Sequence, residues 1–372
     1  MRVARHVLSI AANVAAVAAL VLGIAVLALV ALDASPNGIA QAETGPESPP
    51  PDADSDFGAR GSILDESEPF PIEGLYSDKN KPGDEDAPPN ADLPDAGEFA
   101  EPNLEPEPAE PEQRAGPVDT SARFQAVYNV SLGRFNLGNF TISGTVQNGQ
   151  YALRGNGTFS VLKGWVFNWQ GKLHGSGEAT TDGANPRSYS FTQSDGKYQE
   201  RLSIDFGDGY VQSVKIWPKP RPYPGEIKVT KEQVQHVVDP LSGAFLTARS
   251  NDPRADLSVC NEVIPVFDGR SRYDLVLRPK KRVMVQNRGN GNYSGPAAVC
   301  QVKFVPISGY PRGDPGIEEL RQANGIEAWL VPLRGTGMYV PYQITIPAFG
   351  GYTAVAVATS MRAGRAGRAE AR

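Results

Sequence analysis

The sequence predicts a mainly β fold, an antiparallel meander curled into an open or half barrel with one or two short helices. Apolar and polar residues alternate with a period of two through much of residues 118–361, which is typical of strands with one buried face. Helical signals are few, and the two that are singled out each have a proline after a capping aspartate. No internal repeat of about 20–50 residues is evident, which argues against propellers and solenoids.

The chain opens with the layout of an export signal. Arg2 and Arg5 precede an apolar run over residues 8–32, and an A-x-A cleavage site ends at Ala42. Residues 1–42 are therefore expected to be either a signal peptide cleaved after Ala42 or a retained membrane anchor, because about 20 apolar residues suffice to span a bilayer. Both alternatives place the rest of the chain in the periplasm, soluble or tethered to the inner membrane.

The next segment, residues 43–117, is rich in proline and acidic residues. It holds 21 acidic residues, four basic residues and 15 prolines. A segment of this composition cannot bury enough apolar area to fold, so a disordered linker is expected. The chain from residue 118 onward has 30 basic and 20 acidic residues, so the overall charge of -6 joins an acidic linker to a basic domain. The short basic tail, residues 362–372, is also expected to be disordered.

Alternation along the domain also predicts which residues face the core. Two hairpins are expected, one turning at Asp208-Gly209 and one turning near Gly350-Gly351. The expected core positions on the clearest strands are Phe124, Ala126, Tyr128, Val130 and Leu132; Phe140, Ile142, Gly144 and Val146; Trp165, Phe167, Trp169, Gly171 and Leu173; Leu202, Ile204 and Phe206; and Tyr210, Val214 and Ile216.

Two short helices are expected late in the domain. The first begins at Pro240 with Asp239 as its N-cap. The second begins at Pro315 with Asp314 as its N-cap, and Gly325 is a signal to end it.

Cys260 and Cys300 are the two cysteines of the chain. In an oxidising compartment an even number of cysteines in a β-rich domain favours a disulfide. Closing a loop of about 41 residues would stabilise the fold by about 4 kcal/mol on the chain-entropy estimate. The alternatives are a free reactive thiol, which would need a nearby base, and unpaired or intermolecular cysteines.

The segment after Cys260 is interpreted as scaffold. A turn at Asp268-Gly269 joins the strand-like runs "VIPVF" and "YDLVL", with Tyr273, Leu275 and Leu277 facing inward. Arg270, Arg272 and Asp274 are expected on the polar face of the second strand; the alternative is a charged cluster at a mouth or partner surface.

Several motifs of the domain resemble the bacterial family of the domain of unknown function 3108. They occur in the family's order and spacing and are "DPLSGAFL" (239–246), Cys260, "VIPVFDGRSRYDLVL" (263–277), "CQVKFVPISGY" (300–310) and "VPYQITIP" (340–347). The resemblance spans roughly residues 122–361. It implies an exported envelope protein with an open, curved barrel like that of periplasmic lipoprotein carriers, and it provides no catalytic residue.

Signatures of catalysis and metal binding are missing from the sequence. It contains no G-x-S-x-G, H-E-x-x-H, C-x-x-C or Walker A pattern. The chain has three histidines, and its two cysteines are expected to pair, so no metal site and no cofactor is predicted. A non-enzymatic protein is therefore expected.

Two sets of side chains are candidates for binding. One is an aromatic row that lines either a ligand cavity or a packed core, formed by Trp165, Phe167, Trp169, Tyr189, Phe191 and Phe206. The other is a basic set that forms either solvated loops or a rim for anionic headgroups, consisting of Lys219, Arg221, Arg278, Lys280, Lys281 and Arg282.

Three functions are compatible with these features. The leading hypothesis is a periplasmic protein that binds a lipid or another amphiphile in an open β-barrel concavity. The alternative is a structural or protein-interaction protein of the envelope with a self-filled core. The third hypothesis is an uncharacterised hydrolase. A nucleic-acid partner is not expected, because the compartment disfavours it despite the basic domain.

Overall fold

The structure, a computed structural model, describes residues 121–161, 167–181, 183–220, 224–286, 293–333, 336–348 and 351–364. The predicted signal or anchor and the predicted linker lie outside the described residues. Among the helices of the described ranges, none has the length and apolar character needed to cross a bilayer.

Within the described residues, the domain is built from fifteen strands, two α-helices and short 3-10 turns. The strands are β1 (Ala122–Leu132), β2 (Phe135–Gln147), β3 (Gln150–Val161), β4 (Phe167–Thr180), β5 (Gly183–Ser194), β6 (Gln199–Gly207), β7 (Tyr210–Trp217), β8 (Glu226–Ile227), β9 (Val263–Phe267), β10 (Arg272–Val285), β11 (Gly295–Ser308), β12 (Tyr310–Pro311), β13 (Glu327–Leu333), β14 (Met338–Ala348) and β15 (Tyr352–Gly364). The helices are α1 (Pro240–Phe245) and α2 (Pro315–Gln322).

Thirteen of these strands form one antiparallel sheet in the order β7-β6-β5-β4-β3-β2-β1-β15-β14-β13-β11-β10-β9. The first seven strands are a simple meander, as the sequence predicted. The last strand pairs with the first over most of its length, from Leu132 opposite Ala354 to Arg123 opposite Gly364. The two edge strands of the sheet are β7 and β9, and they do not pair with each other. The predicted mainly β fold, with an antiparallel sheet that is not closed and few short helices, is confirmed.

One face of the curled sheet holds the core. The inward residues predicted for β1 and β6 are all buried, from Phe124 to Leu132 and from Leu202 to Phe206. Two hairpin turns also lie where the sequence placed them, since β6 and β7 close at Asp208-Gly209 and β14 returns as β15. Gly350 itself lies outside the described residues. The prediction for Tyr210 was wrong: its ring is exposed, because it begins the edge strand beside the turn.

Helix α1 lies inside the curl of the sheet. Its Phe245 ring stacks on Phe124 of β1 with centroids 6.0 Å apart and meets Tyr128 edge-on at 6.4 Å. The helix also contacts β4 and β5 on one side of β1 in the strand order, and β14 and the edge strand β9 on the other side. A helix that contacts strands on opposite sides of one sheet occupies the concave interior.

The segment Gln235–Val238 fills the opening between the two edge strands. At one side, the His236 backbone N–H donates to the carbonyl of Gly209 (2.7 Å), beside β7. At the other side, Val238 pairs in parallel with Val266 of β9, and Phe267 N–H donates to the Val238 carbonyl (3.0 Å). We call this region the seam. It joins the sheet edges without making them neighbours.

After α1 the chain passes beside the first residues of β14. Tyr339 N–H donates to the Ala248 carbonyl (2.9 Å), and Arg249 bridges to Met338. The chain then forms a 3-10 turn (Leu257–Cys260), whose last residue is bonded to Cys300 of β11 with Cα atoms 5.2 Å apart. The predicted disulfide is therefore present, and it fastens this crossing segment to the sheet.

The domain boundary differs slightly from the predicted one. Strand β15 continues to Gly364, so residues 362–364 of the predicted tail extend the sheet beside β1. The reason is pairing: Arg123, Phe124 and Gln125 supply backbone partners for these three residues.

Candidate functional site

The aromatic row is best described from Trp169. This side chain is 7 % exposed, and its ring stacks on Phe159 with centroids 5.1 Å apart. The indole Nε1 donates a hydrogen bond to Gln193 Oε1 (2.8 Å). A Cβ atom built on Gly171 would lie 2.2 Å from the Trp169 ring, so the indole lies against the bare backbone at that glycine.

The other described members of the row are also packed. Tyr189, Phe191 and Phe206 are all buried, and Phe191 is 6.4 Å from the Trp169 ring. Trp165 and the Phe167 side chain lie outside the described residues. The described rings therefore contact one another and the sheet, and this placement favours the packed-core alternative over a ligand cavity.

A polar network ties α1 to the sheet. Asp239 accepts hydrogen bonds from the backbone N–H groups of Leu241 and Ser242, both at 3.0 Å, and from the Ser242 hydroxyl at 2.5 Å. The Ser242 hydroxyl also lies 2.8 Å from the Tyr151 hydroxyl on β3. Asp239 is thus the N-cap that the sequence predicted, and it also connects the helix to the barrel wall.

Burial raises the pKa of Asp239 to about 6, and its hydrogen bonds limit the rise. Tyr189 and Tyr273 point toward the same interior: burial, followed by the carboxylates of Asp239 and Asp268, raises the pKa of Tyr189. Burial, followed by the carboxylates of Asp268 and Asp239, also raises the pKa of Tyr273. The interior of the barrel therefore contains carboxyl and phenol groups, all on scaffold residues.

Asp239→Asn is expected to change the pH dependence of stability. The folded state binds the Asp239 proton more tightly than the unfolded state, so this residue's contribution to stability is lost as pH rises from about 4 to about 6. Asparagine retains a capping oxygen but does not titrate. The free energy of unfolding of the variant should therefore rise relative to wild type by up to about 3 kcal/mol between pH 4 and pH 7.

Denaturant unfolding across this pH range measures the difference. Asn185→Ala, at an exposed side chain on β5 that does not titrate, serves as the control, and its difference from wild type should stay nearly constant. A constant difference for Asp239→Asn as well would contradict the prediction.

A second buried cluster lies at the seam. Arg270, in the turn between β9 and β10, contacts Glu200 of β6 at 2.8 Å, and both side chains are nearly buried, 12 % and 7 % exposed. Asp268 forms the turn by accepting from the N–H groups of Arg270 (2.8 Å) and Ser271 (2.7 Å). Burial raises the pKa of Asp268 to about 6, and the hydrogen bonds and Arg270 oppose the rise. The ion pair between Arg270 and Glu200 thus joins the turn between β9 and β10 to β6, near the other edge of the sheet.

The expectation that Arg270 and Arg272 form a solvated polar face was wrong. Arg270 lies in the turn rather than on the strand, and Arg272 is buried. The Arg272 guanidinium donates to the Gln233 carbonyl (2.8 Å) and to Asp274 (2.5 Å). The segment before α1 covers Arg272, whereas Arg270 is held against β6 by Glu200. Both arginines are therefore in largely buried ionic contacts, and the alternative of a charged cluster at a mouth or partner surface stays a prediction.

The predicted basic rim is not assembled at one place. Arg278, Lys280, Lys281 and Arg282 are exposed on β10, starting six residues past Arg272, or about 20 Å along the strand. Lys219 comes just after the last residue of β7, Trp217, and Arg221 lies outside the described residues. Two of the β10 side chains are also engaged, since Lys280 pairs with Glu327 at 2.5 Å and Arg282 donates to the Ala255 carbonyl at 2.7 Å. The two basic stretches are therefore separate surfaces.

A surface cleft of about 310 Å³ lies beside α2. Its lining includes Tyr310, Asp314, Ile317, Glu318 and Arg321. Asp314 caps α2, and Glu318 pairs with Arg321 on the same helix, so these charged groups already have partners. This cleft is outside the aromatic row and does not form the predicted ligand cavity.

Sequence reasoning missed Glu200, Ser242 and Tyr151. Glu200 and Ser242 lie on elements that the sequence predicted, whereas Tyr151 lies on β3, which it did not name, and the partner of each is distant along the chain. Local patterns carry no signal for such pairs. What the arrangement does chemically, among the described residues, is hold helix α1 and the seam in place.

One family model covers most of the domain. A family model described as "Protein of unknown function (DUF3108)" matches residues 127–357. A crystal structure titled as a β-barrel-like protein of domain of unknown function DUF1849, from Brucella abortus, is 11 % identical with a TM-score of 0.37. The match covers 66 % of this chain and 99 % of that one. This similarity is too low to indicate function. No curated protein matches the chain.

Proposed function

The chain belongs to the DUF3108 family of proteins of unknown function, and we propose that it is an exported, non-enzymatic protein of the cell envelope. It binds its partner on the outer surface of the curled sheet, because its own side chains pack the inside. The observation that carries the proposal is the placement of α1 and the aromatic row. Phe245 stacks on Phe124, and Trp169 and Phe191 are buried beside each other, so these side chains take up part of the concave face that an enclosed ligand would need.

Export is supported by the sequence before the domain. The arginines ahead of the apolar run and the A-x-A site are features of secreted chains. A disulfide between Cys260 and Cys300 also suits an oxidising compartment. These features support a periplasmic protein, either free or tethered to the inner membrane.

A binding role is supported by the way the polar interior is used. Asp239 and Asp268, the two buried acids with strongly raised pKa values, are both committed to backbone N–H groups of a helix cap and a turn. A general acid or base needs access to a substrate proton. These groups are instead surrounded by the wall of the barrel, which favours a scaffold over an active site.

The test is whether the protein encloses an amphiphile. Protein purified from its own host is analysed by native mass spectrometry and by titration with a fluorescent fatty acid. We expect the mass of the bare chain and no saturable binding. Saturable binding that is lost in Trp169→Ala but kept in Trp217→Ala would show that the interior carries a ligand, and the proposal would then be wrong.

A further inference from the structure

Exposed aromatic side chains gather at one end of the barrel. The described residues include five such side chains, and four of them are Phe135, Tyr198, Trp217 and Tyr352. Strand direction and register place all four at the end where β1 turns into β2, β5 turns into β6 and β7 ends. We call this the aromatic end. The fifth, Tyr210, is at the opposite, terminal end, where β1 starts and β15 finishes.

Two of these aromatic side chains carry an arginine over their ring. The Arg134 guanidinium lies 5.7 Å from the centroid of Phe135, and the Arg201 guanidinium lies 6.0 Å from the centroid of Trp217. Phe135 is 52 % exposed and Trp217 is 60 % exposed. A cation beside an exposed ring is a poor contributor to stability in water, but it suits a surface that meets both apolar and anionic groups.

A third cation lies in the neighbouring β5–β6 turn. Lys197 is exposed in the β5–β6 turn next to Tyr198. The acidic side chain in that turn is Asp195, which accepts hydrogen bonds from the N–H groups of Lys197 and Tyr198. Glu200, the next acid along the chain, is buried against Arg270. The four strand steps from β2 to β6 separate the two arginine–aromatic pairs by about 19 Å along the sheet.

We propose that the aromatic end docks on the surface of an anionic phospholipid bilayer, with the rings at headgroup depth and the arginines on lipid phosphates. This deepens the proposed function and rests on it, because it names the partner of the outer surface. Tryptophan and tyrosine favour the membrane–water interface, and each basic residue near an anionic bilayer adds to binding. The terminal end, where β1 begins, then faces away from the bilayer. The acidic segment before residue 118 therefore joins the domain on the side that is farthest from the anionic lipid.

The experiment compares two charge-reversed variants of the full chain, in the N-terminal form in which it is purified. The test variant is Arg134→Glu/Arg201→Glu. The control is Arg278→Glu/Lys281→Glu, which makes the same change of charge at exposed positions on β10, away from the aromatic end. Partitioning is measured by co-sedimentation with phosphatidylcholine vesicles, with and without phosphatidylglycerol at roughly a third of the lipid.

We expect the test variant to bind the anionic vesicles at least about 30-fold more weakly than wild type, from about 1 kcal/mol for each of two basic residues. The control should lose less than about threefold, because its charges lie beyond screening distance of the bilayer. All three proteins should bind neutral vesicles equally, since any contribution of the N-terminal segment is common to them. Circular dichroism confirms that the exposed substitutions leave the fold intact.

Equal losses for the two variants, or none for the test variant, would overturn the proposal. If the test variant keeps vesicle binding but loses a co-purifying envelope protein, the lipid partner is wrong and binding by the outer surface stands. Saturable fatty-acid uptake that disappears in Trp169→Ala would instead overturn the proposed function itself.

Discussion

Replacing Trp169 with alanine is expected to lower the free energy of unfolding by about 3–5 kcal/mol, the usual cost of removing a large buried aromatic side chain. The indole fills the space between Phe159 and the backbone at Gly171, and neighbours on a hydrogen-bonded sheet cannot collapse into the gap. The substitution also leaves Gln193 without its indole donor. Denaturant unfolding followed by far-ultraviolet circular dichroism measures the loss as a shift in midpoint at constant slope.

Trp217→Ala is the matched control for this measurement. It removes the same side chain from the end of an edge strand, where the ring is 60 % exposed, and such surface changes usually cost within about 0.5 kcal/mol. If the two variants were destabilised equally, Trp169 would not be the packed core residue described here.

Glu200→Ala is the second substitution expected to have a large effect. It leaves the Arg270 guanidinium nearly buried at the seam without its carboxylate, and removing one partner of a buried ion pair costs about 3–5 kcal/mol. Close packing prevents the turn from moving aside, because a Cβ atom on Gly269 would lie 2.6 Å from Leu202 of β6. The turn carrying Arg270 is therefore held against β6, and the unpaired charge stays buried.

A double variant separates the charge effect from simple loss of contacts. Glu200→Leu/Arg270→Met replaces both charges with apolar groups and should recover most of the stability lost in Glu200→Ala. The exposed pair of Glu178 and Arg187 is the control, since both side chains are about half exposed or more (49 % and 65 %), and Glu178→Ala should cost less than about 1 kcal/mol. A double variant as unstable as Glu200→Ala would contradict this account.

The sequence predicted the local parts of the fold well. The alternation that starts at Phe124 identified the buried face of β1, and the pairs Asp239-Pro240 and Asp314-Pro315 identified both helix starts, because a cap or a strand pattern depends on nearby residues. The disulfide was predictable because the chain has only one possible pair of cysteines.

What covers the buried face was not predictable. Alternation shows that Trp169 faces inward, but it does not say whether a ligand or helix α1 fills the space there. The same limit applies to Arg270: its partner Glu200 is 70 residues away, and the seam exists only when both sheet edges are in place. The two basic stretches were likewise grouped by their composition alone. Composition does not give the direction of the strands, and it is this direction that places Lys219 and Arg278 on separate surfaces.

The pairing of β1 with β15 has a consequence for biosynthesis. The ribosome makes β1 first and β15 last among the described strands, and residues Ala354 to Gly364 of β15 complete one side of β1. Until β15 has been made, the sheet ends at an open β1 flank, and the long-range pairing that finishes the domain cannot form. Strand β1 therefore presents unpaired backbone groups along one edge throughout the synthesis of the strands that separate it from β15.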